Sequence, residues 1–156
     1  MRTRDLLALF GFLALTLAAG FAGGQVTAPN IAGWYAGLAK PSFNPPDWVF
    51  APVWTALYVL MAVAAWRVWR RTSWRAYPLA LWQFQLALNV CWSFIFFGLH
   101  AVPAALAELV LLWAFILATF LAFRTQDRWA GWLLAPYLAW VGFAGVLNYE
   151  IWRLNG

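Results

Sequence analysis

Three carboxamides, Gln85, Asn89 and Asn148, sit inside apolar runs, each one helical turn from an aromatic ring. An amide donates and accepts at once, while an indole or phenol adds a flat apolar wall with a polar edge. Together they suit holding a planar, mostly apolar guest and not bond making. Trp54, Tyr58, Met61 and Ala65 recur at steps of four, three and four, which is one face of a helix. Gln85, Asn89, Trp92 and Phe96 form a second such face, and Tyr137, Trp140, Ala144 and Asn148 a third. An amide turned to lipid is costly, so Gln85, Asn89 and Asn148 are expected to point inward. The plainer alternative is that the amides only join helices, through hydrogen bonds of about 1 kcal/mol each.

Other chemistries find little support. Cys91 is the only cysteine and His100 the only histidine, which argues against an intrachain disulfide, a zinc or iron–sulfur site, or two-histidine haem ligation. Glu108 falls within an apolar run, where an inward or a snorkelling position is open. No nucleophile–base pair, phosphate loop or metal-ligand cluster stands out, so no catalytic residue, metal or required cofactor is expected.

The elements that must carry these faces follow from composition. Of 156 residues, 65% are hydrophobic and only 10% charged, with thirteen tryptophans. A soluble domain needs a wettable surface, so the chain is expected to be an all-α membrane protein. Five apolar spans are predicted over about 6–24, 48–68, 78–99, 103–123 and 129–152, each near the roughly 20 residues that cross a bilayer. They form a single integral membrane domain, 1–156, a five-helix bundle. The basic start resembles a signal peptide, but the long first run is read as a retained helix, with a signal anchor as the alternative.

Charge sets the expected orientation. Arg2, Arg4, Arg67, Arg70, Arg71, Arg75, Arg124 and Arg128 share one side of a five-span chain, against Lys40 and Arg153 on the other. This asymmetry predicts a cytoplasmic N-terminus and explains the net charge of +5 without nucleic acid. Helical spans point to a bacterial inner membrane. Residues 25–47 hold Pro29, Pro41, Pro45 and Pro46, so they read as a structured capping loop with a short helix over Ile31–Leu38. Asn44 is expected to cap the second helix. Pro52 and Pro136 should bend their helices, and Gly20 and Gly24 form a small-xxx-small pair.

Several runs resemble one family. Trp34-Tyr-Ala-Gly-Leu-Ala-Lys-Pro-Ser-Phe-Asn-Pro-Pro-Asp-Trp-Val-Phe50, then Pro52-Val-Trp-Thr-Ala-Leu-Tyr58, resemble the signature of the tryptophan-rich sensory proteins. That family is also called the translocator proteins or peripheral-type benzodiazepine receptors. Gln85–Gly98 and Pro136–Tyr149 resemble its third- and fifth-helix motifs. The resemblance implies a five-helix bundle, commonly a homodimer, that binds porphyrins such as protoporphyrin IX, a haem-type tetrapyrrole, beneath the first loop. It implies sterol and other hydrophobic ligands as well. Matching pocket positions are Trp54, Tyr58, Asn89, Trp92 and Trp140, with Ala144 where relatives carry a small residue. Trp34, Leu147 and Asn148 complete the expected ligand-binding set. Leu147, Tyr149 and Arg153 overlap the family's sterol-associated segment and fit a weak sterol-contact pattern. Some relatives have Phe in place of Tyr58 and of Trp92. Family dimers often use small residues on the third helix, where Leu79–Gln85 is bulky.

Three functions are then open. The chain binds tetrapyrroles and senses or moves them. Alternatively it degrades porphyrin with light and oxygen, Trp54 and Trp140 acting as redox partners. Or it carries sterol or porphyrin across the bilayer. The scarcity of titratable groups favours binding.

Overall fold

The computed structural model describes residues 2–156 and contains no strand among them. Helix α1 runs Thr3–Asn30 and continues through a π-helical turn, Ile31–Tyr35. Helix α2 is Asp47–Trp69. Helix α3, Tyr77–Ser93, also ends in a π turn, Phe94–Gly98. Helix α4 is Val102–Gln126, and the last span is made of α5, Arg128–Leu133, and α6, Ala135–Asn155. Five of these stretches are long and apolar enough to cross a membrane, as expected from the composition.

The first helix is longer than its sequence suggests. Pro29 was expected to fall in a loop, yet it lies inside α1. Proline removes one N–H and crowds the carbonyl four residues back. The carbonyl so affected is that of Gln25; beside it Thr27 donates to Gly23 (3.0 Å) and Asn30 Nδ2 to Val26 (2.8 Å), side-chain bonds that brace the same turns. The wider π turn then absorbs the distortion. Residues 31–37 are therefore a continuation of α1, and the loop between the first two spans shrinks to residues 38–46.

That loop is tied down at both ends. Tyr35 donates its hydroxyl to Asn44 Oδ1 at 2.9 Å, so Asn44 pins the strap to α1 and does not cap α2. Asn155, at the end of α6, makes two 2.9 Å bonds to the Ala39 backbone. Phe43 lies edge-on to Phe143, with centroids 6.2 Å apart. The strap thus closes one end of the bundle.

The last span is broken, not merely bent. Asp127 caps α5 through the N–H groups of Trp129 and Ala130, at 2.9 and 3.2 Å. Leu134 interrupts the helix, and Pro136 then occupies the first turn of α6, where its missing N–H costs little. Pro52, by contrast, is accommodated within α2.

Packing explains where space remains. Helix α1 lies against α2 and α3, while α4 lies against α3 and α6. Helix α2 meets the last span chiefly through α5, so α2 and α6 diverge toward the strap. At the arginine-rich end, Met61, Ala62, Ala65, Val68, Leu79 and Trp82 are wholly buried and fill the interior.

Candidate functional site

The divergence of α2 and α6 opens a cavity of about 440 Å³ in the strap-proximal half of the bundle. Its volume falls in the range of small-molecule sites, roughly 300–1,000 Å³. Each of the three faces read from the sequence turns inward. From α2 come Phe50, Trp54 and Tyr58, spaced four residues apart. Trp54 and Tyr58 lie 5.7 Å apart at 31°. From α3 come Asn89, Trp92 and Phe96, the two rings stacked at 4.9 Å. From α6 come Trp140, Ala144, Leu147 and Asn148. Phe50 reaches across to Trp140, centroids 6.0 Å apart, and joins the two diverging helices near the strap.

A polar relay forms the floor. Tyr58 donates to Asn89 Oδ1 at 2.6 Å, and Asn89 Nδ2 donates to the Tyr137 hydroxyl at 3.1 Å. Tyr137 in turn donates to Gln85 Oε1 at 2.9 Å, and Gln85 Nε2 bonds the Trp82 carbonyl at 2.9 Å. One connected network therefore ties α2, α3 and α6 together, below which the bundle is solid. Asn148 is similarly engaged: it accepts from Trp92 Nε1 (3.3 Å) and donates to the Val102 carbonyl (3.0 Å). The amides thus serve first as interhelical joints and present little free polarity to a guest.

Free donors come from elsewhere. The indoles of Trp66, Trp92 and Trp113 each bond a protein oxygen. Among the described residues none accepts from Trp54 or Trp140, whose rings line the cavity. These two indoles keep a donor available to a flat guest with polar substituents.

The sequence reading missed the wall supplied by α1. Gly20 abuts Tyr58 so closely that an added Cβ would lie 2.5 Å from the ring, and one on Gly23 would lie 3.0 Å from Ser93 Oγ. Only glycine allows that approach. The signal in the sequence was the small-residue content of Gly20–Ala28, read there as helix packing. Leu109 and Leu112 from α4 were also missed, as was Ile151, one turn beyond Leu147.

Other predicted positions lie apart. Trp34 does not line the cavity; it stacks on His100 at 4.2 Å and meets Phe96 edge-on. His100 holds a left-handed backbone (φ 53°) in the turn before α4 and bonds Asn30 through Nε2 at 3.1 Å. The sterol-associated segment is divided between two faces. Leu147 is buried, whereas Tyr149 is exposed against Trp152 and Arg153 is exposed and paired with Glu150 at 2.6 Å. Both Glu108 carboxyl oxygens are buried without a partner among the described residues, outside the cavity wall. On α3, bulky Leu79, Trp82 and Gln85 point inward, leaving Ala80, Phe84, Ala87 and Cys91 on the outer face.

At the opposite end, Asp127 is buried between two arginines. Arg67 approaches it at 2.8 Å and Arg71 at 3.2 Å. Burial alone would push the Asp127 carboxyl up. The Ala130 N–H, the bond and charge of Arg67, and the Trp129 N–H outweigh it and hold the group below its ordinary value.

Sequence comparison decides the family. The profile of the TspO/MBR family matches residues 12–153. The chain belongs to the TspO/MBR family. It is 44% identical over 156 residues to the tryptophan-rich protein TspO of Chlorobaculum tepidum, covering 97% of this chain and 98% of that one. It is 46% identical over 122 residues to the tryptophan-rich sensory protein of Cereibacter sphaeroides, covering 78% and 77%. It is 40% identical over 149 residues to the translocator protein of Bos taurus, covering 93% and 88%. As a TspO/MBR protein with five apolar spans, it is a multi-pass integral membrane protein of the sensor and translocator class.

Proposed function

We propose that the cavity binds porphyrins of the protoporphyrin IX type and that the protein senses or moves tetrapyrroles within the membrane. One observation carries this reading: indoles from α2, α3 and α6 line one hollow, and those of Trp54 and Trp140 have no acceptor among the described residues. Flat aromatic walls stack on a macrocycle, and the two donors match polar substituents at its edge. Binding is favoured over turnover because the wall offers no nucleophile–base pair. Sterol contact, if it occurs, would use the exposed Tyr149 and Arg153 face and not the cavity.

Titration of protoporphyrin IX into the detergent-solubilised protein tests this. Wild type should show saturable quenching of tryptophan fluorescence, and Trp140→Ala should bind about tenfold more weakly, the loss of one aromatic contact. Equal, non-saturating quenching of both would reject the pocket.

We further infer a homodimer through the outer face of α3, where Ala80, Ala87 and Cys91 permit close helix approach. The arginine-rich end is assigned to the cytoplasm of a bacterial inner membrane by the positive-inside rule.

A further inference from the structure

A second, smaller cleft of about 160 Å³ lies at the arginine-rich end, bounded by Arg67, Arg70, Arg71 and Asp127. Here three guanidinium groups surround one carboxylate. The carboxylate is fully engaged. Its Oδ1 accepts from Arg67, Trp129 N and Ala130 N, and its Oδ2 lies against Arg67 and Arg71. Arg71 also donates to the Gln126 carbonyl at 3.0 Å, but the other two cations are less fully met. Arg67 Nε is buried and has no acceptor among the described residues. Arg70 stands over the Trp66 ring at 4.8 Å and 3.8 Å from Asp5, too far for a strong hydrogen bond.

A buried guanidinium donor without an acceptor is costly, and around this cleft positive charge exceeds negative. An oxyanion with several acceptor oxygens answers the charge excess, because guanidinium forks pair with phosphate oxygens in two-point contacts. The cleft's height in the membrane narrows the source. Arg67 lies in the last turn of a membrane span and Asp127 between two spans. Trp74, Tyr77 and Trp129, exposed aromatics of the kind that gather at headgroup level, occupy the same end.

We propose that this cleft is a binding site for a phosphate oxyanion, with an anionic lipid headgroup of the arginine-side leaflet as its source. Basic pockets between helices on the cytoplasmic side are suited to this. The site is separate from the aromatic cavity and stands whether or not porphyrin binds.

The full-length protein is placed in phosphatidylcholine nanodiscs with or without phosphatidylglycerol, and retained lipids are counted by native mass spectrometry. Wild type should keep phosphatidylglycerol in preference to phosphatidylcholine. Arg71→Gln and Arg70→Gln should each weaken that preference about fivefold. Arg75→Gln, which removes an equal charge outside the cleft, should leave it unchanged. Inorganic phosphate is then titrated into the phosphatidylcholine discs. A saturable rise in unfolding temperature that Arg71→Gln abolishes supports the site with a free anion as its source; no rise, together with phosphatidylglycerol retention, assigns the headgroup. Equal retention of both lipids with no phosphate effect overturns the proposal. So does an equal loss in Arg75→Gln, which would mean diffuse attraction. If Arg71→Gln fails to fold, Arg70→Gln decides alone, since it disturbs neither bond to Asp127.

Discussion

The two halves of this bundle use the same residue types for opposite ends. Toward the arginines, Trp82 is wholly enclosed, and Ala62, Ala64 and Ala65 let helices close on one another without a gap. Toward the strap, Trp54, Trp92 and Trp140 are only partly buried and stand around a hollow. The difference lies in what faces each indole. Trp82 is packed edge-on against Phe12 of α1 in a filled core, whereas the divergence of α2 from α6 leaves Trp54 and Trp140 lining open space. Tryptophan content alone therefore says little about a binding site; helix divergence decides.

The sharpest way to break this contrast is to truncate one indole in each half. Trp82→Ala should cost about 3–5 kcal/mol, as large deletions in packed interiors do. Trp140→Ala removes a ring that already borders open space, so its stability should change far less. Unfolding midpoints of both variants in one detergent measure the difference, and equal losses would show that the strap-side half is as solid as the other.

Adding volume inverts the test. Ala65 is wholly buried between helices, so Ala65→Leu should destabilise by about 1–3 kcal/mol. Ala144 borders the cavity, and Ala144→Leu should leave the unfolding midpoint near wild type while reducing porphyrin affinity. A large stability loss at Ala144 would mean that the cavity wall cannot accept a side chain.

What the sequence made legible was the part with strong periodicity. The faces on α2, α3 and α6 repeat every 3.6 residues, and those on α3 and α6 carry amides that lipid rejects, so their direction followed from physics. The α1 wall was not legible, because Gly20 and Gly23 act by lacking a side chain and leave no apolar period to read. Pro29 misled for a different reason: a proline rule drawn from water-soluble helices underrates how readily a membrane helix runs on through a π turn. The free indole donors were invisible as well, since sequence shows that a tryptophan is present but not whether its N–H is already engaged.

The arginine end predicts a pH response of its own. Asp127→Ala removes the α5 cap and should cost about 1–2 kcal/mol at neutral pH. The folded Asp127 carboxyl lies below its ordinary value, so the unfolded chain takes up the proton first as pH falls. Its contribution is complete above about pH 4, the unfolded value, and is lost as pH drops through the lower folded one. Wild type and Asp127→Ala should accordingly converge in stability at strongly acidic pH. A gap that stays constant would assign the stabilisation to geometry and not to charge.

The smallest effect is expected where the two halves meet. Tyr58 rests on Gly20 with its ring and bonds Asn89 with its hydroxyl at 2.6 Å. Tyr58→Phe keeps the ring and deletes only the bond, for which about 0.6 kcal/mol is the usual cost between membrane helices. Asn89 would retain its bond to Tyr137, so the relay should shorten without collapsing. Asn89 Oδ1, now without its donor, would turn a free acceptor toward the cavity. Porphyrin affinity should then change more than stability does, because the altered oxygen faces the guest while the packing does not move. A stability loss of several kcal/mol from that one hydroxyl would instead make the relay the keystone of the whole bundle, and the hollow above it a by-product of how the helices are joined.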